Sequence, residues 1–264
     1  MSTSDAIDVS EESAKCSPVG STKGRRVSLY RDAGIVLRTH KLGEADRIVT
    51  LMARDNGKVR AVAKGIRKTK SRFGGRLEPP AHVELLLYRG RELDVITQVD
   101  TVDSFAAARQ DFDRLARAVS MLEAVDQVTP EREPNAALYR MLRGALGALT
   151  THDSPLVVPA FFLKLLALEG YRHQVDACIE CGTSNNLVSW AIEAGGLRCR
   201  AHRQGSPISP EAVTVVQRIL GGQLGNALNE PPSAVTAEVD RLAVRVLEHH
   251  LERRLRSVSS LHRT

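Results

Sequence analysis

Aromatic residues are scarce in this sequence: its 264 residues include one Trp, four Tyr and five Phe. Long hydrophobic runs are missing as well. No stretch of about 18 apolar residues occurs, so no membrane-spanning helix is predicted. Hydrophobic residues make up 42% of the chain and charged residues 26%, which is typical of a globular protein and argues against a collagen-like or wholly disordered one. The length predicts one large domain or two ordinary ones.

Sequence motifs of several enzyme classes are also missing. The chain has no Gly-x4-Gly-Lys-Ser/Thr sequence, which a P-loop ATPase needs to hold phosphates. It has no Gly-x-Ser-x-Gly nucleophile elbow, and no Gly-x-Gly-x-x-Gly follows a predicted strand. Acidic residues are scattered along the chain without an obvious carboxylate cluster. We therefore expect a protein that is not an enzyme.

The positive charge is concentrated in one part of the chain. The formal net charge is +6, with 37 Lys and Arg against 31 Asp and Glu, and residues 30–105 alone hold 15 bases and 10 acids. Eight bases and no acid lie between residues 58 and 76: Lys58, Arg60, Lys64, Arg67, Lys68, Lys70, Arg72 and Arg76. A run of like charge is ordinarily a solvated surface. The complete lack of interleaved acids favours a binding site for a polyanion instead.

The two ends of the chain have little apolar pattern. Residues 1–27 form a polar leader that contains Cys16 and is predicted to be disordered. This leader has no apolar core before a small-residue cleavage site, so it does not resemble a secretory signal, and a cytoplasmic protein is expected. Residues 258–264 are assigned to a short tail.

Residues 28–105 have the pattern of a small all-β domain. Apolar runs at residues 30–42, 48–52, 59–64, 83–88 and 93–99 predict five strands. Asp55-Asn56-Gly57 indicates a tight hairpin turn, and the segment 66–80, rich in Gly, Ser and bases, indicates a loop. Five short strands in about 75 residues predict a closed barrel, for which a five-stranded OB-fold is the first choice and an SH3-like barrel the alternative.

Residues 106–257 have helical periodicity, so the whole chain is predicted to be α+β. One predicted buried face comprises Phe112, Leu115, Ala116, Val119 and Leu122. A second comprises Leu138, Met141, Leu142, Ala145, Leu146 and Leu149. Residues 156–168 carry a single charge, Lys164, and predict a central helix that is buried on nearly all sides. Two more helices follow, one ending near Gly221 and a last one whose N-terminus Thr236 can cap.

Three cysteines and a histidine have the spacing of metal ligands. Two residues lie between Cys178 and Cys181, and two lie between Cys199 and His202. The two pairs are separated by 17 residues. Gaps of this size let paired ligands reach one tetrahedral ion, and a hairpin in the intervening segment brings the pairs together. The spacing predicts one structural zinc ion per chain, in a module at residues 176–204. The alternative is a set of buried free cysteines near a surface histidine.

Several segments resemble the RecO family of bacterial DNA recombination and repair proteins. The resemblance covers roughly residues 28–255 and rests on AGIVL at 33–37, LGEADRIV at 42–49, AKGIRK at 63–68, SRFGGRLEP at 71–79 and FFLKLL at 161–166. These segments lie in both halves of the chain and in the same order as in the family.

The resemblance implies an N-terminal OB-fold, a C-terminal helical domain and an inserted zinc site. It implies a role without catalysis, in which the protein binds single- and double-stranded DNA and anneals complementary strands. It also implies partners: RecR, often RecF, and single-stranded DNA-binding protein, which RecA replaces on the strand. The acidic tail of that binding protein ends in Phe and would suit a basic-rimmed apolar groove. A fourth cysteine is common in the family where this chain has His202.

The eight bases of residues 58–76 are the predicted phosphate contacts. Phe73, in the Gly-rich part of this segment, is the best candidate for stacking against a base. With so few aromatic residues, binding is expected to be mainly electrostatic. Two other functions stay open from the sequence: an adaptor that acts on RNA or in transcription, and a metal-dependent nuclease or hydrolase.

Overall fold

A computed structural model describes residues 28–255 and 257. The predicted leader with its Cys16 and the tail at 258–264 lie outside the described residues. Five strands form a closed barrel in the order β1-β2-β3-β5-β4. They are β1 (Leu29–Leu42), β2 (Asp46–Ala53), β3 (Gly57–Ala63), β4 (His82–Tyr88) and β5 (Asp94–Asp103). Only the β3–β5 pairing is parallel. The predicted five-stranded OB-fold is therefore confirmed.

The hairpin between β2 and β3 depends on a glycine. Gly57 has a φ of +66°, a conformation that side chains disfavour. A Cβ atom at this position would also lie 2.0 Å from the carbonyl oxygen of Glu133, in the helical half of the chain. Gly57 therefore serves both the turn and the close approach of the two halves.

Seven helices are present in the described part of the chain. They are α1 (Ala106–Gln110), α2 (Phe112–Val128), α3 (Ala136–Thr151), α4 (Val157–Leu168), α5 (Pro210–Leu220), α6 (Leu224–Leu228) and α7 (Ala234–Leu251). Helix α4 is buried on nearly all sides, as predicted, and packs against α2, α3, α5 and α7. None of these helices combines the length and apolar character needed to cross a membrane.

The predicted buried face of α2 is wrong in part. Phe112 is 77% exposed and Val119 is 38% exposed, whereas Met121 and Val125 are buried. Small residues, among them Ala118, complete the face that packs. Hydrophobicity alone predicts burial of the large side chains Phe112 and Val119. Close packing also depends on side-chain size, and the face that packs includes small residues such as Ala118.

The start of α7 also differs from the prediction. Ser233, and not Thr236, is the N-cap residue, and its side chain accepts a hydrogen bond from the Thr236 N–H. The Thr236 hydroxyl accepts a hydrogen bond from the Ser233 N–H at 2.9 Å, so the two residues form a reciprocal capping box.

The barrel and the helices share one core. Ala33, Ile35 and Leu37 on the outer side of β1 are buried in the same apolar cluster as the interior of the helical half. Val36, between them, faces the barrel interior. Because β1 contributes to both cores, the barrel is fixed against the helices along this strand.

A buried carboxylate joins the two halves beside this core. The Asp94 side chain is fully buried and forms an ion pair with Arg132, from the α2–α3 connection, at 2.9 Å. The carboxylate also accepts hydrogen bonds from the Tyr30 hydroxyl at 2.5 Å and the Gly90 N–H at 2.9 Å. Burial by itself would raise the pKa of Asp94, but these three donors outweigh it and lower that pKa below its ordinary value.

Replacing Arg132 with Ala should lower the free energy of unfolding by about 2–3 kcal/mol, because it leaves a buried carboxylate short of its charged partner. Chemical denaturation at neutral pH measures this. The lowered pKa of Asp94 means that its stabilising effect is present above the ordinary carboxyl pKa of about 3.9 and is lost in acid. The difference between variant and wild type should therefore shrink as the pH falls.

The control is Arg60→Ala, which removes an ion pair to Glu131 of the same connection. The Arg60 and Glu131 side chains are both solvent-exposed, so the free energy of unfolding should fall by at most about 1 kcal/mol. Equal losses for the two variants would contradict the special role of Asp94.

Candidate metal centre and nucleic-acid interface

The predicted metal ligands lie around a small three-stranded sheet. Strands β6 (Leu187–Ala191) and β7 (Gly196–Cys199) form the predicted hairpin, and β8 (Ser206–Pro207) adds a short third strand to β6. One ligand pair precedes the sheet, in a tight turn where the Gly182 N–H bonds to the Cys178 carbonyl at 2.9 Å. The other pair lies at the end of β7 and in the 3-10 turn that follows it.

The four ligand atoms converge on one point. The Sγ, Sγ, Sγ and Nδ1 donors of Cys178, Cys181, Cys199 and His202 all lie within 4.8 Å of one another. The Cys181 and Cys199 sulfurs are 3.8 Å apart, and His202 Nδ1 lies 3.4 Å from Cys199 Sγ. Tetrahedral zinc with bonds of about 2.3 Å to sulfur places two sulfurs about 3.8 Å apart. The shorter separations match a tetrahedral site, and the widest ligand pair needs only a small contraction to bind one ion.

Hydrogen bonds favour the thiolate, the form that binds metal, at Cys178 and Cys199, whereas contacts with these two sulfurs raise the pKa of Cys181. Burial by itself would raise the pKa of Cys178, but backbone N–H groups of Cys199, Cys181 and Glu180 lower it to about 6. The His202 side chain lowers the pKa of Cys199, and the same contact raises the pKa of His202. With four protein donors the set leaves no open position for substrate, which is typical of a structural site.

The loop between β3 and β4 carries most of the acid-free basic run. Ile66, Phe73 and Leu77 of this loop are buried in the barrel core. Six bases between and beside these anchors are exposed: Lys64, Arg67, Lys68, Lys70, Arg72 and Arg76. Within residues 28–255 and 257, none of the six forms an ion pair with an acid. The apolar anchors therefore hold a dense positive surface in a fixed place on the barrel. We call these six residues and their backbone the basic loop.

The basic loop is also tied to the β1–β2 turn. The Arg67 guanidinium donates to the Glu44 carbonyl at 2.8 Å, and the Gly65 N–H donates to the Asp46 carboxylate at 2.7 Å. Arg47 on β2 pairs with Glu78 at 2.5 Å. Asp46 and Glu78 thus have partners of their own, and the loop's charge stays available to a ligand.

Two of the predicted phosphate contacts, Lys58 and Arg60, are not part of this surface. The Lys58 ammonium donates to the Asp126 carbonyl at 2.6 Å and is largely buried. Arg60 pairs with Glu131 in the α2–α3 connection. Both lie on β3, where the barrel meets the helical half. Their charge serves the contact between the halves, and phosphate contact by these two bases stays a prediction.

Phe73 is also placed differently from the prediction. Its ring is 1% exposed and fills the barrel core, with the Arg72 guanidinium 4.8 Å from the ring centroid. An exposed stacking ring is therefore wrong for this residue. The neighbouring Gly74 and Gly75 favour an exposed loop tip. The Phe73 ring is apolar, however, and burying it in the barrel core holds this loop on the barrel.

Sequence reasoning missed a groove in the helical half. It lies between α3, α4 and α6, has a volume of about 380 Å³ and is lined by apolar side chains, including Met141, Phe161 and Leu224. Arg140 and Lys164 stand at its rim. The sole charge of α4, Lys164, was a signal for it, but the contribution of α6 could not be predicted from so short a helix.

Both halves of the chain match families of recombination proteins. Residues 27–105 match the family described as Recombination protein O N terminal, and residues 109–259 match Recombination protein O C terminal. The chain therefore belongs to the RecO family. Its sequence resemblance to that family is confirmed, and with it a role in DNA repair.

Relatives of similar length exist in other bacteria. The chain is 41% identical to the DNA repair protein RecO of Bifidobacterium adolescentis, over 88% of this chain and 99% of that protein. It is 42% identical to the DNA repair protein RecO of Frankia casuarinae, over 89% and 99% of the two chains. A RecO of a Nocardioides species is 43% identical, over 89% and 100%.

Proposed function

We propose that this RecO-family chain is a non-enzymatic mediator of cytoplasmic, nucleoid-associated DNA repair. It binds single- and double-stranded DNA, anneals complementary strands and, with RecR and RecF, helps RecA replace single-stranded DNA-binding protein. The observation that carries the proposal is the basic loop, six exposed bases anchored on an OB-fold barrel. Phosphates are the common feature of both DNA forms, so a surface of this charge suits a ligand of any sequence.

Annealing follows from the same electrostatics. Cationic side chains screen the repulsion between two phosphate backbones, while bases that are not stacked on the protein remain able to pair. In the described barrel the aromatic rings are buried or half-buried, so little competes with pairing. This supports annealing by charge neutralisation rather than by base capture.

Replacing Lys64, Lys68, Lys70 and Arg72 with Ala should abolish most strand annealing and weaken binding to single strands. The slope of log affinity against log salt should fall by roughly 2.8, because each lost phosphate contact removes about 0.7. Arg67 is left in place because its guanidinium holds the β1–β2 turn. Fluorescence anisotropy over a salt series and an annealing assay measure the two effects.

The matched control replaces four exposed bases outside the basic loop, Arg109, Arg200, Arg203 and Arg241, with Ala. It makes the same change in net charge and should keep most of the binding and annealing. Equal loss in both variants would mean that total charge matters and the basic loop does not. A clear preference for RNA over DNA of equal length would favour an RNA adaptor instead.

We further propose that the metal is one structural zinc ion per chain. Purified protein should contain about one zinc, and Cys178→Ala should lose it and lower the melting temperature, since structural zinc contributes directly to folding. Cys16→Ala is the control, because this cysteine lies outside the ligand set, and should retain the metal. His202→Cys should retain it too, since four thiolates also suit tetrahedral zinc. Full zinc content in Cys178→Ala would exclude this ligand set.

The groove between α3, α4 and α6 is the proposed site for the tail of single-stranded DNA-binding protein. Its apolar lining suits a terminal Phe ring, and Arg140 and Lys164 at the rim suit the carboxylates around it. The pairing joins this partner to the helical half and leaves the basic loop to DNA.

Arg140→Ala combined with Lys164→Ala should weaken binding of an acidic, Phe-ending peptide by at least about tenfold, because two charge-assisted contacts are lost. Arg143→Ala, an exposed neighbour on α3, should leave the affinity nearly unchanged. The same peptide without its Phe should bind weakly to all three proteins. Unchanged binding of the intact peptide to the double variant would exclude this groove.

A further inference from the structure

A second groove lies where the barrel meets the helical half. It runs between the far end of β1 and α2, is closed on one side by the residues after α7, and has a volume of about 590 Å³. Leu37, Val119 and Leu122 form its apolar lining. Val119 on α2 is 38% exposed, so an apolar surface is open here. We call this space the seam groove.

Unpaired cationic side chains line one side of the seam groove. The exposed Arg253 and Arg254 follow α7, whereas Arg38 on the β1 side is paired with Asp126. In the described part of the chain, neither Arg253 nor Arg254 forms an ion pair. Two unpaired cations beside an apolar lining suit the phosphates of a nucleic-acid strand that runs along the groove.

The acids in the seam groove have partners within the protein. Asp126 pairs with Arg38 at 2.5 Å and with Lys58 at 3.6 Å. Glu123 accepts hydrogen bonds from the Ser257 N–H at 2.9 Å and the Ser257 hydroxyl at 2.5 Å. Their charge is therefore partly neutralised, whereas that of Arg253 and Arg254 is not.

The seam groove continues the surface of the basic loop. Arg67 of the basic loop contacts the β1–β2 turn at Glu44, and His40 lies four residues earlier in the chain, on β1. A segment of four residues spans at most about 14 Å, so the two backbone positions are no farther apart than this. One DNA strand can therefore contact both places without leaving the protein surface.

We propose that the seam groove is a second contact site for the single strand that the basic loop binds. Phosphates lie against Arg253 and Arg254, and a sugar or base rests on Val119 and Leu122. This inference rests on the proposed DNA binding by the basic loop. It adds that the strand crosses from the barrel onto the helical half, so that the fixed geometry of the two halves sets the path of the DNA.

The test replaces Arg253 and Arg254 with Ala and measures affinity for oligothymidylates of about 6 and about 20 nucleotides, which span the site sizes of OB-folds. The short strand can occupy the basic loop alone, so its affinity should stay close to that of the wild type. The long strand should lose affinity, and its salt slope should fall by roughly 1.4, because two phosphate contacts of about 0.7 each are gone. Arg253→Glu with Arg254→Glu should enlarge the loss.

Arg241→Ala with Arg245→Ala is the matched control, because both residues are exposed on α7 and the change in charge is equal. It should leave the salt slope for the long strand near the wild-type value. Wild-type affinity and slope of the Arg253 and Arg254 variants for the long strand would overturn the inference. An equal loss of affinity for short and long strands would also overturn it. A third contrary result would be that the wild type binds the acidic Phe-ending peptide and that Arg253→Ala with Arg254→Ala abolishes this binding.

This failure can be told apart from failure of the proposed function. If the basic-loop variant loses DNA binding and the seam-groove variants do not, only the seam groove is excluded. If the basic-loop variant binds both strands like the wild type, the proposed function fails as well. Thermal unfolding of each variant shows whether its fold is retained.

Discussion

The buried ion pair between Asp94 and Arg132 holds the two halves of the molecule in one arrangement. Asp94 belongs to the barrel, where its carboxylate accepts hydrogen bonds from the Tyr30 hydroxyl and the Gly90 N–H. Arg132 belongs to the connection between α2 and α3. A carboxylate without solvent is costly to leave without its donors, so this ion pair favours the observed docking of the barrel. The shared core along β1 adds apolar contact area to this constraint, and every surface that spans the two halves depends on it.

The bases of residues 58–76 fall into two groups. Some contact the helical half, and the others are exposed and available to a ligand. Lys58 and Arg60 share a strand with the contact between the halves, and both are used there. From Lys64 onward the chain leaves the strand, and buried anchors such as Phe73 turn the bases toward solvent. A surface of like charge is costly to hold together, and the apolar anchors supply the energy for it. The same sequence feature thus has two roles, separated by the end of β3.

The sequence was sufficient for the five strands, the central helix α4 and the clustering of three cysteines with His202, because each follows from local pattern or spacing. It was not sufficient for Phe112 and Val119, whose exposure depends on which face of α2 packs. The position of Phe73 could not be predicted for a similar reason. Its glycine neighbours favour an exposed loop tip, but the ring is buried in the barrel core. The grooves escaped prediction because their walls come from segments that are distant in sequence and meet only in the folded chain.

The scarcity of aromatic residues bears on the mode of DNA binding. The described rings serve mostly as core: Trp190, Phe105 and Phe162 are buried, and Tyr30 is bound to Asp94. The clearly exposed rings, Phe112 and Tyr171, lie on the helical half and away from the basic loop in sequence. Under the proposed function, a barrel without exposed Phe, Tyr or Trp rings binds a strand by its phosphates and leaves the bases unstacked. Strong stacking would oppose pairing with a second strand, so the lack of aromatics favours annealing rather than limiting it.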